Sequence, residues 1–300
     1  MATIPQPTLS SSLGASLVYL NGEFMKPEQA TISPFDRGFI FGDGVYEVIP
    51  VFGGRLFRLR SHLQRLQDSL NAIELANPLS LENWNKILQR LVDEAGGGDQ
   101  YVYLQVTRGV AQRNHAFPKD VPPTVFAYVQ NKPFPEESVD QPGVAVITAT
   151  DIRWQRCDIK SVSLLGAVML RQLAERAGAI ETILLRDGLV TEGAATNVFL
   201  VVDGVLVTPP KSRLILTGIT RDLVLEVVRE HGIAVEERDV RESELAYASE
   251  VWITSSTNEI KPVGTINGTT VGDGRAGPVF KRVYGLYQDY KQAVRDGRAE

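Results

Sequence analysis

The spacing of apolar residues along the chain follows two periods, one typical of β-strands and one typical of α-helices. Alternation of apolar and polar positions predicts strands over residues 45–52, 101–107, 124–129 and 143–150. Apolar residues three or four positions apart predict helices over residues 61–75, 81–95, 164–177 and 277–294, and from a glycine loop near 218 to about 231. The chain is therefore expected to form an α/β protein.

Turn sequences separate these elements. Asn or Asp followed by Gly occurs at residues 21–22, 187–188, 203–204 and 267–268. Such dipeptides favour two-residue hairpins, so neighbouring strands should be antiparallel rather than part of a doubly wound parallel sheet. Residues 33–38 have the composition of a loop, and Ser61 is placed to cap the first long helix.

A proline-containing stretch over residues 131–142 divides the chain. It holds three prolines and no periodic apolar pattern, as expected of a linker. We therefore predict a small N-terminal domain over residues 17–130 and a larger C-terminal domain over residues 143–300. Residues 1–16 lack the regions of a signal peptide and are predicted to form a flexible tail.

Composition narrows the classes of function. A chain of 300 residues with 43% hydrophobic content can bury the core of a globular enzyme. A net charge of −5 without a run of Lys or Arg argues against nucleic acid and anionic membranes as partners. No apolar stretch approaches the ~18 residues of a membrane span. The three histidines form no metal-binding cluster with cysteine. The single cysteine, Cys157, excludes an internal disulfide and suits the cytoplasm.

Lys160 and Glu192 are the first candidates for catalysis. Lys160 stands between Ile159 and Val162, and an amine among apolar residues can act as a nucleophile that forms a Schiff base. The alternative is an ordinary surface lysine before an amphipathic helix. Glu192 closes a strand predicted over residues 189–191 and precedes three small residues that leave room for a flat ring. A carboxylate there can keep a pyridine nitrogen protonated, or can simply be a turn residue.

The segments D-I-K-S and L-L-G-A around Lys160, with T-E-G-x-x-T-N around Glu192, resemble the paired signatures of the fold-type IV pyridoxal-phosphate aminotransferases. The resemblance extends from about residue 18 to the last helix. It implies a fold-type IV α/β protein in which two domains, with largely antiparallel sheets flanked by helices, enclose pyridoxal 5'-phosphate (PLP). It also implies that Lys160 is the catalytic residue that carries PLP and that Glu192 faces the ring nitrogen.

Three further segments resemble the phosphate-binding parts of the same family: H-x-x-R-L, T-G-I-T-R and the hydroxyl-rich turn after residue 254. The residues that the resemblance assigns to the cofactor phosphate are Arg65, Ile219, Thr220, Ser255 and Ser256. An arginine fork and the free amides of a helix start are both suited to phosphate. The same resemblance leaves His62 as a support for Arg65. From the residues alone, the arginine can also be a solvated charge, and the two loops an ordinary helix cap and a simple turn.

The loop over residues 108–118 carries Arg113 and His115 two positions apart. In an extended segment these side chains face the same way, so they can converge on one anion or form a solvated pair. The loop resembles that of D-amino-acid aminotransferases, in which the R-x-H pair binds the substrate α-carboxylate. The segment R-G-F-I-F-G-D-G-V-Y-E-V over residues 37–48 also resembles the aminotransferase family, and that likeness makes Tyr46 a candidate lining residue of the substrate pocket. The R-x-H loop implies a homodimer, because in the family this loop reaches the active site of the neighbouring subunit.

The resemblance as a whole implies a ping-pong transaminase acting between a D-amino acid, such as D-alanine or D-glutamate, and a 2-oxo acid, such as 2-oxoglutarate or pyruvate. Alternatives on the same fold are a branched-chain L-amino-acid aminotransferase and an R-selective amine transaminase. More distant alternatives are an aminodeoxychorismate lyase, which the R-x-H loop disfavours, and a catalytically idle PLP-binding protein, which the presence of Lys160 and Glu192 disfavours.

Overall fold

Two β-sheets flanked by helices make up the fold, which a computed structural model describes over residues 14–132, 134 and 138–300. Residues 1–13 of the predicted tail, and residues 133 and 135–137 of the predicted linker, lie outside the described residues. The α/β class with largely antiparallel sheets is confirmed. None of the helices in the described ranges combines the length and the apolar character that a bilayer span requires.

The first sheet has six antiparallel strands and two long helices on one face. Its elements, in chain order, are β1 (Val18–Leu20), β2 (Glu23–Met25), a 3-10 helix (Pro27–Gln29), α1 (Arg37–Phe41), β3 (Gly44–Phe52), β4 (Arg55–Leu56), α2 (Leu59–Ala72), α3 (Leu81–Glu94), β5 (Gln100–Thr107) and β6 (Thr124–Asn131). The strand order is β2-β1-β6-β5-β3-β4. The apolar stripes of α2 and α3 bury Leu66 and Trp84 against Leu104 of β5, as their helical spacing predicts.

The second sheet has ten strands. Its elements are β7 (Val144–Thr150), α4 (Leu165–Arg176), β8 (Glu181–Arg186), β9 (Leu189–Gly193), β10 (Asn197–Val202), β11 (Val205–Thr208), α5 (Ile219–Glu230), β12 (Val235–Glu237), β13 (Val240–Arg241), a 3-10 helix (Glu242–Ala246), β14 (Glu250–Ser255), β15 (Glu259–Ile266), β16 (Thr269–Thr270) and α6 (Pro278–Arg295). The order is β12-β11-β10-β14-β15-β7-β8-β9-β13, with β16 beside β15. The predicted hairpins are antiparallel, whereas β7 is parallel to both β8 and β15, and β11 to β12.

A crossover connection between β7 and β8 contains Lys160. Because these strands are parallel neighbours, the chain must return along the sheet between them. It does so through residues 151–164, here called the lysine segment, and then through α4. The segment therefore follows the end of β7, and α4 then leads the chain back to β8.

Three local predictions need correction. Ser61 is not a cap, because α2 begins two residues earlier and Arg58 occupies the cap position with φ +48°. Residues 33–38 were expected to form a loop, but α1 begins at residue 37, where the Asp36 carboxylate accepts a hydrogen bond of 2.8 Å from the Gly38 amide. Five residues are too few to give a helical apolar period. Glu192 lies inside β9 rather than after its end.

The division into two domains stays a prediction. Phe52 ends β3 and Phe57 follows β4 in the first sheet, yet both lie in the same apolar core as Tyr287 of α6. The rings of Phe57 and Tyr287 meet edge to face, with centroids 6.4 Å apart. The last helix of the chain therefore packs against both halves.

Candidate active site

A cavity of about 860 Å³ is lined by residues of both sheets. Its walls come from β3 and α2, from the lysine segment and β9, and from the start of α5 and the turn after β14. The predicted site residues that line it are Tyr46, Arg65, Lys160, Glu192, Ile219, Thr220, Ser255 and Ser256. Side chains from distant parts of the chain thus meet in one cavity, although their individual roles stay predictions.

The lysine segment is held beside the first half of β3. The Tyr46 amide donates to the Lys160 carbonyl at 2.9 Å, and the Val162 amide donates to the Gly44 carbonyl at 3.0 Å. On the other side, the Lys160 amide donates to Ser69 Oγ of α2 at 3.2 Å. The half-buried Lys160 side chain places Nζ 4.3 Å from the centre of the Tyr46 ring. Contacts with β3 and α2 therefore fix the backbone from which this amine extends over the Tyr46 ring.

Glu192 is a buried carboxyl with three donors. Its Oε2 accepts from the Leu216 amide at 2.9 Å and from Asn197 Nδ2 at 3.1 Å, and its Oε1 accepts from Arg153 Nη1 at 2.6 Å. Burial raises the pKa of Glu192 to about 7, because the loss of water outweighs the attraction of Arg153. This carboxyl can therefore change its protonation state near neutral pH.

Arg153 is a residue that the sequence analysis missed. Besides Glu192, its guanidinium contacts both oxygens of Asp151 at 3.0 Å, and Asp151 also pairs with Arg186 at 3.0 Å. Arg153 lines the cavity next to Glu192. The two residues are 39 positions apart, and no spacing rule links an arginine in a loop to a glutamate in a later strand. Only the contact itself identifies the pair.

Arg65 is not a solvated charge but part of a buried cluster with Glu47 and His62. Its Nε and Nη2 donate to the two oxygens of Glu47 at 2.7 Å, and its Nη1 donates to the Thr217 carbonyl at 2.8 Å. His62 Nδ1 lies 2.7 Å from Glu47 Oε2. Burial alone would raise the pKa of Glu47, but the Arg65 guanidinium, together with His62, outweighs burial and holds that pKa at about 2. Arg65 is thus fixed by a permanent countercharge.

The start of α5 presents open backbone to the cavity. Gly218 occupies the cap position and has no side chain to bond to the first amides of the helix. A Cβ at Gly218 would lie 2.0 Å from Asn197 Oδ1, so only glycine fits. Thr254 Oγ1, at the end of β14, is buried and has no hydrogen-bond partner among the described residues. Together with Arg65, these groups form a donor-rich part of the lining.

Arg113 and His115 do not line this cavity. Both are exposed, and both lie against Phe41 of α1: the guanidinium carbon is 5.4 Å and the imidazole centre 5.3 Å from the centre of that ring. Buried Arg37 holds their loop by donating to the Asn114 carbonyl at 2.5 Å. The two side chains therefore share one location, apart from the other predicted site residues of the same chain.

The model of the family described as amino-transferase class IV matches residues 44–266, a range that contains every predicted site residue. The chain belongs to this family. It is a class IV member whose β3 begins the matched range and whose β15 ends it.

Relatives of this class IV chain cover nearly its whole length. The D-alanine aminotransferase of Bacillus licheniformis is 45% identical over 272 residues, which are 91% of this chain and 96% of that protein. The D-alanine aminotransferase of Listeria monocytogenes serotype 1/2a (strain 10403S) is 42% identical over 270 residues, 89% of this chain and 93% of that protein. The solved T.th. branched-chain amino acid aminotransferase with pyridoxamine 5'-phosphate has a TM-score of 0.87 at 26% identity, covering 95% of this chain and 96% of that one. The predicted fold type IV is confirmed.

Replacing Glu192 should change how stability depends on pH. The pKa of Glu192 is raised from an ordinary 4.5 to about 7, so the folded, cofactor-free chain binds this proton more tightly than the unfolded chain does. Stability is therefore lost as the pH rises from 4.5 through 7. We expect the free energy of unfolding of Glu192→Gln, relative to that of wild type, to rise by roughly 2 to 3 kcal/mol as the pH is raised from about 5 to about 8. Urea unfolding at the two pH values measures this difference.

Glu94→Gln, which alters an exposed carboxyl at the end of α3, is the control and should show no such change between the two pH values. A stability difference between Glu192→Gln and wild type that is the same at both pH values would contradict the raised pKa.

Proposed function

We propose that this class IV chain is a PLP-dependent aminotransferase that exchanges amino groups between D-amino acids and 2-oxo acids by a ping-pong mechanism. The proposed donors are D-alanine and D-glutamate, and the acceptors are 2-oxoglutarate and pyruvate. The observation that carries the proposal is the meeting of Lys160, Glu192 and Arg65 in one cavity of a class IV fold. Identities of 45% and 42% to two D-alanine aminotransferases support the choice of D-amino acids.

The lining of the cavity supports PLP as the cofactor. Membership of the class IV family leads us to expect PLP, and the structure of the T.th. relative was solved with pyridoxamine 5'-phosphate. In this chain, the open amides at the start of α5 and the hydroxyl of Thr254, which has no partner in the part of the chain that the structure describes, suit an anion such as phosphate. The residues that would hold the phosphate are Arg65, Ile219, Thr220, Ser255 and Ser256. A half-buried amine and a buried carboxyl complete the set of groups that PLP requires.

PLP, when bound, supplies an electron sink that stabilises negative charge at the substrate Cα. Lys160 Nζ would then be the general base that removes the α-proton, and its protonated form would be the acid that passes a proton on to the cofactor side rather than back to Cα. Tyr46 and the backbone bonds of the lysine segment keep this amine aimed into the cavity. Glu192 can hold a proton at its carboxyl near neutral pH, and Arg153 orients that carboxyl from one side. Arg65, fixed by Glu47, provides a rigid positive charge.

Arg113, His115 and Tyr46 are proposed to bind the substrate carboxylate. The first two lie exposed on their loop and away from the cavity of their own chain, which supports a homodimer in which each loop serves the partner's site. A row of exposed apolar side chains on α4 also favours an interface: Leu165, Val168 and Met169 are 73%, 58% and 53% exposed. The active sites would then lie near the subunit boundary.

A second candidate function has one observation in its favour. The T.th. structure, which resembles this fold with a TM-score of 0.87, is a branched-chain amino acid aminotransferase. Its identity of 26% is well below the 45% of the Bacillus licheniformis D-alanine enzyme, so the D-amino-acid activity is preferred. We also infer a cytoplasmic location, which the free, buried Cys157 supports.

Lys160→Ala should abolish both transamination and the covalent link between PLP and the chain, because no other amine is proposed to reach the cofactor. We expect the rate with D-alanine and 2-oxoglutarate to fall by roughly 1000-fold or more. Borohydride reduction followed by mass spectrometry should find no PLP attached to the chain. Lys86→Ala, on the exposed face of α3, is the control and should behave as wild type. A Lys160→Ala protein that retains both properties would refute the assignment.

Arg113→Ala should discriminate between substrates with and without a carboxylate. Loss of a charge-assisted hydrogen bond should lower kcat/KM for D-alanine by about 10- to 100-fold. For (R)-1-phenylethylamine, which has no carboxylate, the change should stay within about threefold. Arg229→Ala, which alters an arginine that is 54% exposed on α5, serves as the control. Equal losses with both substrates would rule out the proposed role of Arg113.

A further inference from the structure

The turn between β14 and β15 has an unusual backbone. Residues 255–259, here called the serine turn, place Ser255, Ser256 and Thr257 in the lining of the cavity. The turn ends at Glu259, whose φ is +54°. This left-handed conformation favours glycine, and a side chain there is retained only where its surroundings hold it in place. Specific contacts of the Glu259 carboxylate are therefore expected to hold the turn in this conformation.

The C-terminal helix supplies those partners. Lys291 of α6 is fully buried, and its Nζ lies 2.6 Å from Glu259 Oε1. Gln288, nearly one turn earlier on the same helix, donates to Glu259 Oε2 at 3.0 Å. Both oxygens of the carboxylate are thus held by α6, and the Glu259 side chain is only 9% exposed.

Lys291 also contacts the first half of the chain. Its Nζ donates to the Phe134 carbonyl at 3.2 Å and lies 5.0 Å from the centre of the Phe52 ring. The ammonium therefore contacts the first sheet and Phe134 of the predicted linker, as well as the serine turn. A second lysine, Lys132, donates to the Thr257 carbonyl at 2.5 Å from just beyond the end of β6.

Stability alone does not account for this buried pair. The free-energy cost of removing two charges from water can cancel the gain from their attraction. Well-packed apolar residues can often replace such pairs without loss of stability. What an ion pair adds is a defined separation of its partners, because the attraction between Lys291 Nζ and Glu259 Oε1, which meet as charges without hydrogen-bond geometry, weakens as the distance between them grows. The geometry defined here is that of a turn whose hydroxyl-bearing residues line the cavity.

We propose that Lys291 is a positioning residue that, through Glu259, holds the serine turn in the shape that binds the cofactor phosphate. The inference rests on the proposed PLP function and extends it to a helix that does not line the cavity. It follows that loss of the pair should weaken binding of the phosphate group specifically, while the contacts made by Lys160 and Glu192 with the rest of the cofactor remain.

The test compares two ligands that differ only in the phosphate. The cofactor-free, full-length chain is titrated with PLP and with pyridoxal, and the ratio of the two Kd values measures the contribution of the phosphate. The variant is Lys291→Met with Glu259→Gln, which leaves no lone buried charge. We expect PLP affinity to fall about tenfold, with pyridoxal affinity unchanged within about twofold.

A matched control lies one turn further along α6. Arg295 Nη2 pairs with Asp99 Oδ2 at 2.5 Å and ties the same helix to the first sheet without touching the serine turn. Arg295→Met with Asp99→Asn should keep the wild-type ratio of Kd values. Gln288→Leu, which removes one donor to Glu259 but retains the ion pair, should shift the ratio in the same direction by about threefold, and it serves if the double variant does not fold.

Two results would overturn the inference: a wild-type ratio in the Lys291 and Gln288 variants, or equal losses of PLP and pyridoxal affinity, which would indicate a purely structural pair. If the wild-type chain bound PLP no more tightly than pyridoxal, the proposed phosphate site itself would be refuted. The role of Lys291 would then be refuted together with that site.

Discussion

The pairing of the lysine segment with the free edge of β3 is the contact on which the rest of the site depends. β4 pairs only with Val51 and Phe52, so the first half of β3 has no strand on that side among the described residues. Unpaired backbone groups at a sheet edge need partners, and residues 160–162 provide them. The same hydrogen bonds hold Lys160, which belongs to a crossover connection of the second sheet, beside Tyr46 of the first sheet. The cavity exists because the two sheets meet there.

Two buried carboxyls in or beside this cavity have their pKa values moved in opposite directions. Glu47 meets the fork of Arg65 with both oxygens, and its pKa is held at about 2. Glu192 meets Arg153 through one oxygen only, and burial raises its pKa to about 7. Such divergence is typical of sites that use one carboxyl as a fixed charge and another as a proton carrier. The Glu47 charge orients an arginine, whereas Glu192 remains able to exchange a proton.

Local patterns were enough to predict most elements of the fold, because an apolar stripe and a two-residue turn each fix the backbone within a few residues. The helices α2, α3 and α6 follow their apolar spacing closely. The pattern did not predict α1, because five residues are too few to show a helical period. It did not predict the parallel neighbours of β7 either, because strand order depends on long-range packing. The site residues in the cavity came from motif resemblance. Arg153 and Lys291 did not, since each contacts a partner far away along the chain.

The central claim is that the amine of Lys160 serves the transamination of D-amino acids. The most direct measurement mixes the PLP-loaded chain separately with D-alanine and L-leucine and follows loss of the visible cofactor absorbance in a stopped-flow instrument. The account predicts fast loss with D-alanine and little change with L-leucine. Fast loss with L-leucine and none with D-alanine would contradict it, and the proposed role of Arg113 and His115 would then be wrong while the class IV fold remained.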